Sequence, residues 1–157
     1  MKTTRRWKVS GKVIQTNEYC GGANPSEEII EALRKEKPLP DKRLFVRAGT
    51  LNKITRPVLQ SFTTDAEGNF EISLPPGDYC VIEEGKKDQL KIPDFSKENE
   101  KLPPAEAYRL TSEECLRTWW RACDQTLRVK RQSLKGVVIR FHQRCNPPCI
   151  TGGPQPI

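Results

Sequence analysis

The chain has 157 residues, of which 35% are hydrophobic and 30% are charged, and its formal net charge is +7. This length allows one compact domain with a modest core, and the composition is too apolar for a disordered chain. No stretch approaches the roughly 18 consecutive apolar residues of a membrane-spanning helix.

The N-terminal part predicts a strand followed by a helix. Residues 7–16 alternate between apolar and polar side chains, which is typical of a half-buried strand. Residues 25–36 predict a short amphipathic helix, with Asn24 as its cap and Pro25 at its first helical position. The next strand is predicted around residues 44–47.

The segment 63–80 is the most informative part of the chain and predicts a β-hairpin followed by a tight corner. Asp65 can bond its own backbone two residues on, and Gly68 supplies the positive φ that closes a short loop. Residues 69–74 then alternate as a strand does. The run Pro75-Pro76-Gly77 predicts a type II turn into a further strand.

The C-terminal half predicts a long loop, a helix and a final hairpin. Residues 83–104 are charged and rich in proline, which is typical of a loop. A capping box of Thr111 and Glu114 predicts a helix at about 112–124. One face of that helix is formed by Cys115, Leu116, Trp119, Trp120 and Cys123.

Two interpretations of Trp119 and Trp120 remain open at this point. Adjacent indoles can form a platform that stacks on a carbohydrate or a peptide, so both are candidate binding residues. Their helical spacing favours the alternative, in which the two rings anchor the helix over the sheets.

Six cysteines are many for a cytosolic chain of this length, and their even number favours an oxidising compartment with at least two disulfides. The candidates are Cys20, Cys80, Cys115, Cys123, Cys145 and Cys149. Cys115 and Cys123 should not pair with each other, because eight helical residues separate them by about 12 Å. The remaining connectivities stay open. A set of reduced, buried cysteines is one alternative. A zinc site with His142, Cys145 and Cys149 is the other, which the ligand spacing disfavours.

The first six residues are basic, as in a signal peptide, but Trp7 and Lys8 follow where an apolar core would stand. Because of the six cysteines, we expect a mature secreted or periplasmic product, with a cytoplasmic protein as the alternative. The basic residues of the C-terminal half are spread over several elements without a nucleic-acid motif, so no nucleic-acid partner is expected. The partner is left unknown, with a glycan or an envelope protein as the two candidates.

The inventory of reactive groups predicts no enzyme. His142 is the only histidine, and no Gly-x-Ser-x-Gly sequence is present. We assign no catalytic residue, no metal and no cofactor.

Three motifs resemble the carboxypeptidase regulatory-like domain, a β-sandwich related to transthyretin and to the B-type repeats of Gram-positive adhesins. They are the strand at 9–13, the loop at 64–70 and the corner at 74–79. The resemblance covers residues 8–84. Residues 19–23 and a Cys-rich C-terminal tail occur together, as in small secreted proteins of Bacteroidetes, which the chain resembles. This resemblance implies no activity.

The resemblance implies a mainly β fold, an antiparallel Greek-key sandwich of seven or eight strands with two short helical insertions. We expect one domain over 1–157, with an insertion at about 105–125 and a Cys/Pro-rich tail at 143–157. It also implies a non-enzymatic accessory or structural module of unknown ligand. A carbohydrate- or peptide-binding module and a zinc-binding protein are the two alternatives.

Overall fold

Strands are the dominant elements of the computed structural model, which describes residues 4–153. They are β1 (Trp7–Asn17), β2 (Lys37–Pro38), β3 (Arg43–Ala48), β4 (Val58–Thr63), β5 (Asn69–Leu74), β6 (Gly77–Glu83), β7 (Tyr108–Leu110), β8 (Gln125–Val129), β9 (Leu134–Gln143) and β10 (Ile150–Gly152). The helices are α1 (Glu27–Arg34), α2 (Ser96–Asn99) and α3 (Glu113–Arg121), with a 3-10 turn at Glu84–Lys86. Strands hold 39% of the residues and helices 16%, which confirms the mainly β prediction.

The chain divides into two compact units. The sandwich unit holds the described residues of 4–15, 36–89 and 120–141. The second unit holds 16–35, 90–119 and 142–153. The single domain over 1–157 stays a prediction, and its first three and last four residues lie outside the described part.

Two sheets form the sandwich unit. In the first, β1 pairs with β2, β5 and β9, and in the second the order is β4-β3-β6-β8. The antiparallel register joins Trp7 to Leu74 in the first sheet and Gly77 to Val129 in the second. We refer to them as the β1 sheet and the β3 sheet.

The main core lies between these two sheets. Alternating residues of both sheets point inward, as the period of two requires. The buried members are Val9, Val13, Leu44, Val46, Phe62, Phe70, Ile72, Leu74, Tyr79, Val81, Leu127, Val129 and Ile139. Each fully buried aliphatic side chain of this kind stabilises the fold by about 1.5–3 kcal/mol relative to an exposed one.

The loop chemistry predicted around Asp65 is present, but the hairpin is not. Asp65 Oδ1 accepts hydrogen bonds from the backbone N–H groups of Glu67 and Asn69, at 2.9 and 2.8 Å, and Gly68 has φ 78°. Yet β4 pairs with β3 while β5 pairs with β1, so the loop joins the two sheets. The hairpin prediction is wrong, because the turn fixes where the chain reverses and burial decides which strand each arm pairs with.

The corner after β5 likewise connects the two sheets. Gly77 has φ 155°, which only glycine adopts easily but which departs from the roughly +80° of a type II turn. The O–H of Tyr79 donates a hydrogen bond to the carbonyl of Pro75 at 2.6 Å and closes the corner. The predicted turn type is therefore wrong, and a tyrosine bond back to the chain takes the place of the turn's own hydrogen bond.

Both predicted helices form, with different caps from those expected. Ser26 caps α1 by accepting from the N–H of Ile29 at 3.3 Å, so Asn24 is not the cap. Ser112 caps α3 by accepting from the N–H of Cys115 at 3.0 Å, one residue beyond the expected Thr111. In both cases the capping serine is closer to the first turn of the helix than the expected residue. Its side chain accepts from the backbone N–H three residues further along the chain.

The remaining differences concern pairing and short elements. The predicted final hairpin is wrong, since β8 pairs with β6 and β9 pairs with β1. The predicted loop at 83–104 contains the 3-10 turn and the short helix α2. The described residues form ten strands, more than the expected seven or eight. The excess comes from three strands of two or three residues each, β2, β7 and β10.

Candidate functional site

A buried polar cluster covers the outer face of the β3 sheet. Phe45 and Arg47 point to this face because they alternate with the inward Leu44 and Val46. Phe45, Cys80 and Ile82 form a small apolar core there, and Val58 and Cys123 pack against it. This outer face is therefore a second buried surface of the sheet rather than a solvated one.

Arg47 is the centre of the cluster and is only 3% exposed. Its guanidinium donates to the carbonyls of Arg56 and Lys87 at 2.8 and 2.6 Å, and to Asn52 Oδ1 at 2.8 Å. Burial lowers the pKa of the Arg47 guanidinium, and the negative charge of Asp88 partly opposes that effect. Because guanidinium is so strong a base, the group stays charged, and backbone carbonyls with one amide oxygen satisfy it.

Asn52 connects three segments of the sandwich unit. Its Nδ2 donates to the carbonyls of Lys86 and Trp120, both at 2.9 Å, and its backbone N–H donates to the carbonyl of Arg121 at 2.8 Å. Since its Oδ1 is bound to Arg47, each polar group of this fully buried side chain has a partner.

Lys86 and Asp124 complete the cluster. Lys86 Nζ lies 3.0 Å from Asp124 Oδ1 and donates to the carbonyl of Ala122 at 2.9 Å. Asp124 Oδ2 accepts from the backbone N–H of Glu83 at 2.8 Å. This buried ion pair holds the segment after α3 against the end of β6.

Sequence reasoning did not single out Arg47, Asn52 or Lys86. The alternation in β3 is the one sequence feature that indicates this cluster. It places the large apolar Phe45 on the outward face, which indicates that another part of the chain covers that face. No pattern identifies a loop asparagine or a lysine in a charged run as buried.

The two candidate binding tryptophans lie in different environments. Trp120 is 8% exposed, and its indole N–H donates to the carbonyl of Asp88 at 2.9 Å. Trp119 is half-buried. Trp119 is the more exposed of the two, and ligand binding by either stays a prediction.

All six candidate cysteines form disulfides. The pairs are Cys20–Cys145, Cys80–Cys123 and Cys115–Cys149. The prediction that Cys115 and Cys123 do not pair with each other is confirmed. Cys80–Cys123 lies within the sandwich unit, and the other two pairs lie within the second unit.

The second unit is held by these two disulfides together with short polar contacts. Cys145 donates its backbone N–H to Glu18 Oε2 at 2.9 Å, and the N–H of Thr111 donates to the carbonyl of Cys149 at 2.8 Å. The strands β7 and β10 pair beside the latter contact. The Cys-rich tail is therefore fastened at both of its cysteines, as far as the described residue 153.

The zinc alternative is incompatible with this pairing. Cys145 and Cys149 are both in disulfides, and His142 Nδ1 shares a 2.8 Å hydrogen bond with Thr16 Oγ1. Within residues 4–153, no group of three or more His, Cys, Asp or Glu side chains could hold a metal ion. None of the helices in that part of the chain is long and apolar enough to span a membrane.

Comparisons with known proteins do not identify a family for this chain. No protein-family model matches the sequence, and no curated protein matches it. Among solved structures, the chain is similar to a variant of the shaft pilin SpaA from Lactobacillus rhamnosus GG, at 14% identity, over 89% of this chain and 51% of that one, with a TM-score of 0.42.

It is also similar to a minor pilin of Streptococcus agalactiae, at 13% identity, over 92% of this chain and 46% of that one, with a TM-score of 0.38. The major plantain pollen allergen follows at 12% identity, 89% and 90% coverage and a TM-score of 0.33. The chain spans about half the length of these two pilin chains. With TM-scores below 0.5, these likenesses carry no weight for function.

Proposed function

We propose that this protein is a non-enzymatic secreted or periplasmic module with a structural or accessory role. The observation that carries the proposal is the complete pairing of its six cysteines, with each disulfide closed inside one of the two units. Disulfides of this kind form and persist in oxidising compartments and stabilise small domains that have modest cores.

The use of the chain's reactive groups supports the structural role. The cysteines are in disulfides, His142 bonds Thr16, and the buried cations Arg47 and Lys86 bind backbone carbonyls and one carboxylate. These cysteine, histidine and buried cationic side chains are thus engaged in holding segments together.

We further propose that the sandwich unit is a carboxypeptidase regulatory-like domain, as the sequence resemblance over residues 8–84 implies. The strand β1, the loop after Asp65 and the corner closed by Tyr79 occur in the order that the resemblance requires. In that family such a domain is an accessory or a spacer, which agrees with the structural role.

The test is the redox state and compartment of the protein in the organism that makes it. Cells are treated with a membrane-permeant alkylating agent before disruption, then fractionated, and the protein's mass is measured with and without reductant. We expect recovery from the secreted or periplasmic fraction with no alkylated cysteine, and six alkylated cysteines only after reduction. Recovery from the cytoplasm with six alkylated thiols would overturn the proposal.

A further inference from the structure

One end of the sandwich unit gathers cationic side chains from two segments of the chain, residues 4–8 and 128–135. The start of β1 lies beside the end of β5, since Trp7 pairs with Leu74, and the start of β6 lies beside the end of β8, since Gly77 pairs with Val129. Only residues 130–133 separate β8 from β9, so β9 also begins at this end. We call this surface the basic end and define it by the segments 4–8, 75–78 and 128–135.

The basic end holds much of the chain's net positive charge. All of its cationic side chains are exposed, namely Arg5, Arg6, Lys8, Arg128, Lys130, Arg131 and Lys135. Two carboxylates face them. Asp78 bonds Arg128 at 3.2 Å, and Glu71 on the adjacent β5 bonds Lys8 at 2.9 Å. The formal net charge of the whole chain is +7, so this end contributes most of it.

Two of the arginines are held in place before any ligand arrives. The Arg5 guanidinium lies 4.1 Å from the centre of the Trp7 ring, and Arg6 Nη1 donates to the carbonyl of Ser73 at 3.1 Å. The ring contact of Arg5 uses none of its five N–H donors, and the bond to Ser73 uses one of the five N–H donors of Arg6. Fixed guanidinium groups bind carboxylate, sulfate and phosphate with two parallel hydrogen bonds at a low entropic cost.

The composition of this end distinguishes between classes of polyanion. A protein that binds at a bilayer surface inserts apolar side chains beside its cations. The large exposed apolar side chains of the described residues are Ile29, Leu51, Ile54, Leu59 and Leu102, and none belongs to the segments of the basic end. Binding of single-stranded nucleic acid needs exposed aromatic rings for stacking, whereas Trp7 is half-buried with Arg5 over it.

We propose that the basic end binds an anionic polysaccharide through the carboxylate, sulfate or phosphate groups that the polymer carries. An extracellular setting, as the disulfides indicate, offers such polymers as solvent-exposed partners. The inference goes beyond the proposed function, because a structural module need not bind a polymer. If the protein binds no polymer, the proposed structural role still stands. If the protein is found in the cytoplasm, the proposed function fails, but the affinity measured for the polymer is unchanged.

The experiment measures binding of the full oxidised chain to dextran sulfate and to polygalacturonate, with neutral dextran as the reference polymer. The test variant is Lys130→Glu/Arg131→Glu/Lys135→Glu. The matched control, Lys91→Glu/Lys97→Glu/Lys101→Glu, changes the net charge equally at exposed lysines outside the basic end. We expect the test variant to bind at least about tenfold more weakly, and the salt dependence to become shallower by roughly one for each contacting side chain removed. The control should remain within about twofold.

Several outcomes would overturn the proposal. These are equal losses in the two variants, binding of neutral dextran, and no loss in the test variant. Equal or tighter binding to vesicles of anionic phospholipid, or to single-stranded DNA, would assign the surface to a different partner. If near-ultraviolet circular dichroism shows that the charge reversal disturbs the fold, Lys130→Gln/Arg131→Gln/Lys135→Gln replaces it, and retained affinity in that variant equally refutes the proposal.

Discussion

Arg47 Nη1 donates a hydrogen bond to Asn52 Oδ1 at 2.8 Å, and both side chains are almost completely removed from solvent. A buried guanidinium is costly unless its donors are satisfied, and here one amide and several carbonyls satisfy them. The pair therefore makes the loop 49–57 a fixed part of the sandwich unit and closes the outer face of the β3 sheet.

Asn52→Leu should destabilise the protein strongly. The substitution removes the acceptor for Arg47 and the donor to the carbonyls of Lys86 and Trp120. Leaving a buried cation short of a partner costs about 3 kcal/mol or more. Urea unfolding measures the effect, with Lys53→Ala at an exposed position of the same loop as the control, expected within about 0.5 kcal/mol of wild type. Equal midpoints for the two variants would contradict the role given to Asn52.

Removing the disulfide of the sandwich unit should also destabilise the protein measurably. Cys80 is fully buried, and the Cys80–Cys123 bond closes a loop with a sequence separation of 43. Cys80→Ala/Cys123→Ala should lower the free energy of unfolding by about 2–4 kcal/mol, because the unfolded chain regains its freedom. Urea titration checks this, and intact mass should show that the other four cysteines remain oxidised. An unchanged midpoint would show that the bond does not stabilise the native state.

The protein should lose stability at high pH through Tyr79. Burial raises the pKa of the Tyr79 phenol above 10.0, with the positive charge of Arg6 partly opposing that shift. A raised folded-state pKa favours the protonated form, so this stabilisation is complete below the unfolded pKa and is lost as the pH rises through the folded one.

Tyr79→Phe removes both that pH dependence and the bond to the carbonyl of Pro75, at a cost of about 1 kcal/mol at neutral pH. The difference between the ultraviolet absorbance titrations of wild type and variant isolates the Tyr79 phenol. A transition at the ordinary tyrosine value would contradict the prediction.

The sequence predicts those features whose causes are local. Alternation identified β1 and β5, and the chemistry of Asp65 and Gly68 placed the loop correctly, because each depends on a few neighbouring residues. Pairing partners could not be predicted in the same way. Phe62 lies in β4 and Phe70 in β5, with their ring centroids 4.8 Å apart. The two strands that flank the loop pack in the core from different sheets instead of pairing with each other.

The buried polar cluster could not be predicted for a related reason. Arg47, Asn52 and Lys86 are ordinary surface residue types, and each is buried only because the others and the loop 49–57 cover it. The burial of the tryptophans was partly predictable, since helical spacing places Trp119 and Trp120 on a buried face. The same spacing does not predict which of the two is buried more deeply.

Single-tryptophan variants should distinguish the two rings. Trp7→Phe/Trp119→Phe keeps only Trp120, which is 8% exposed and bonded through its indole N–H to the carbonyl of Asp88. Trp7→Phe/Trp120→Phe keeps only the half-buried Trp119. We expect blue-shifted emission and weak quenching for the Trp120 protein, and several-fold stronger quenching for the Trp119 protein. Acrylamide is the suitable quencher, because an ionic one would respond to the chain's positive charge.

The same pair of variants tests whether the protein binds a sugar or a peptide through its tryptophans. A ligand stacked on an indole would cover the ring and reduce quenching. Because Trp120 is anchored in the sandwich unit, only the Trp119 protein can show such protection without unfolding. We expect neutral oligosaccharides and peptides to leave both quenching constants unchanged. Protection of Trp119, abolished by Trp119→Ala in the otherwise wild-type chain with its fold intact, would instead establish a binding module in place of a purely structural one.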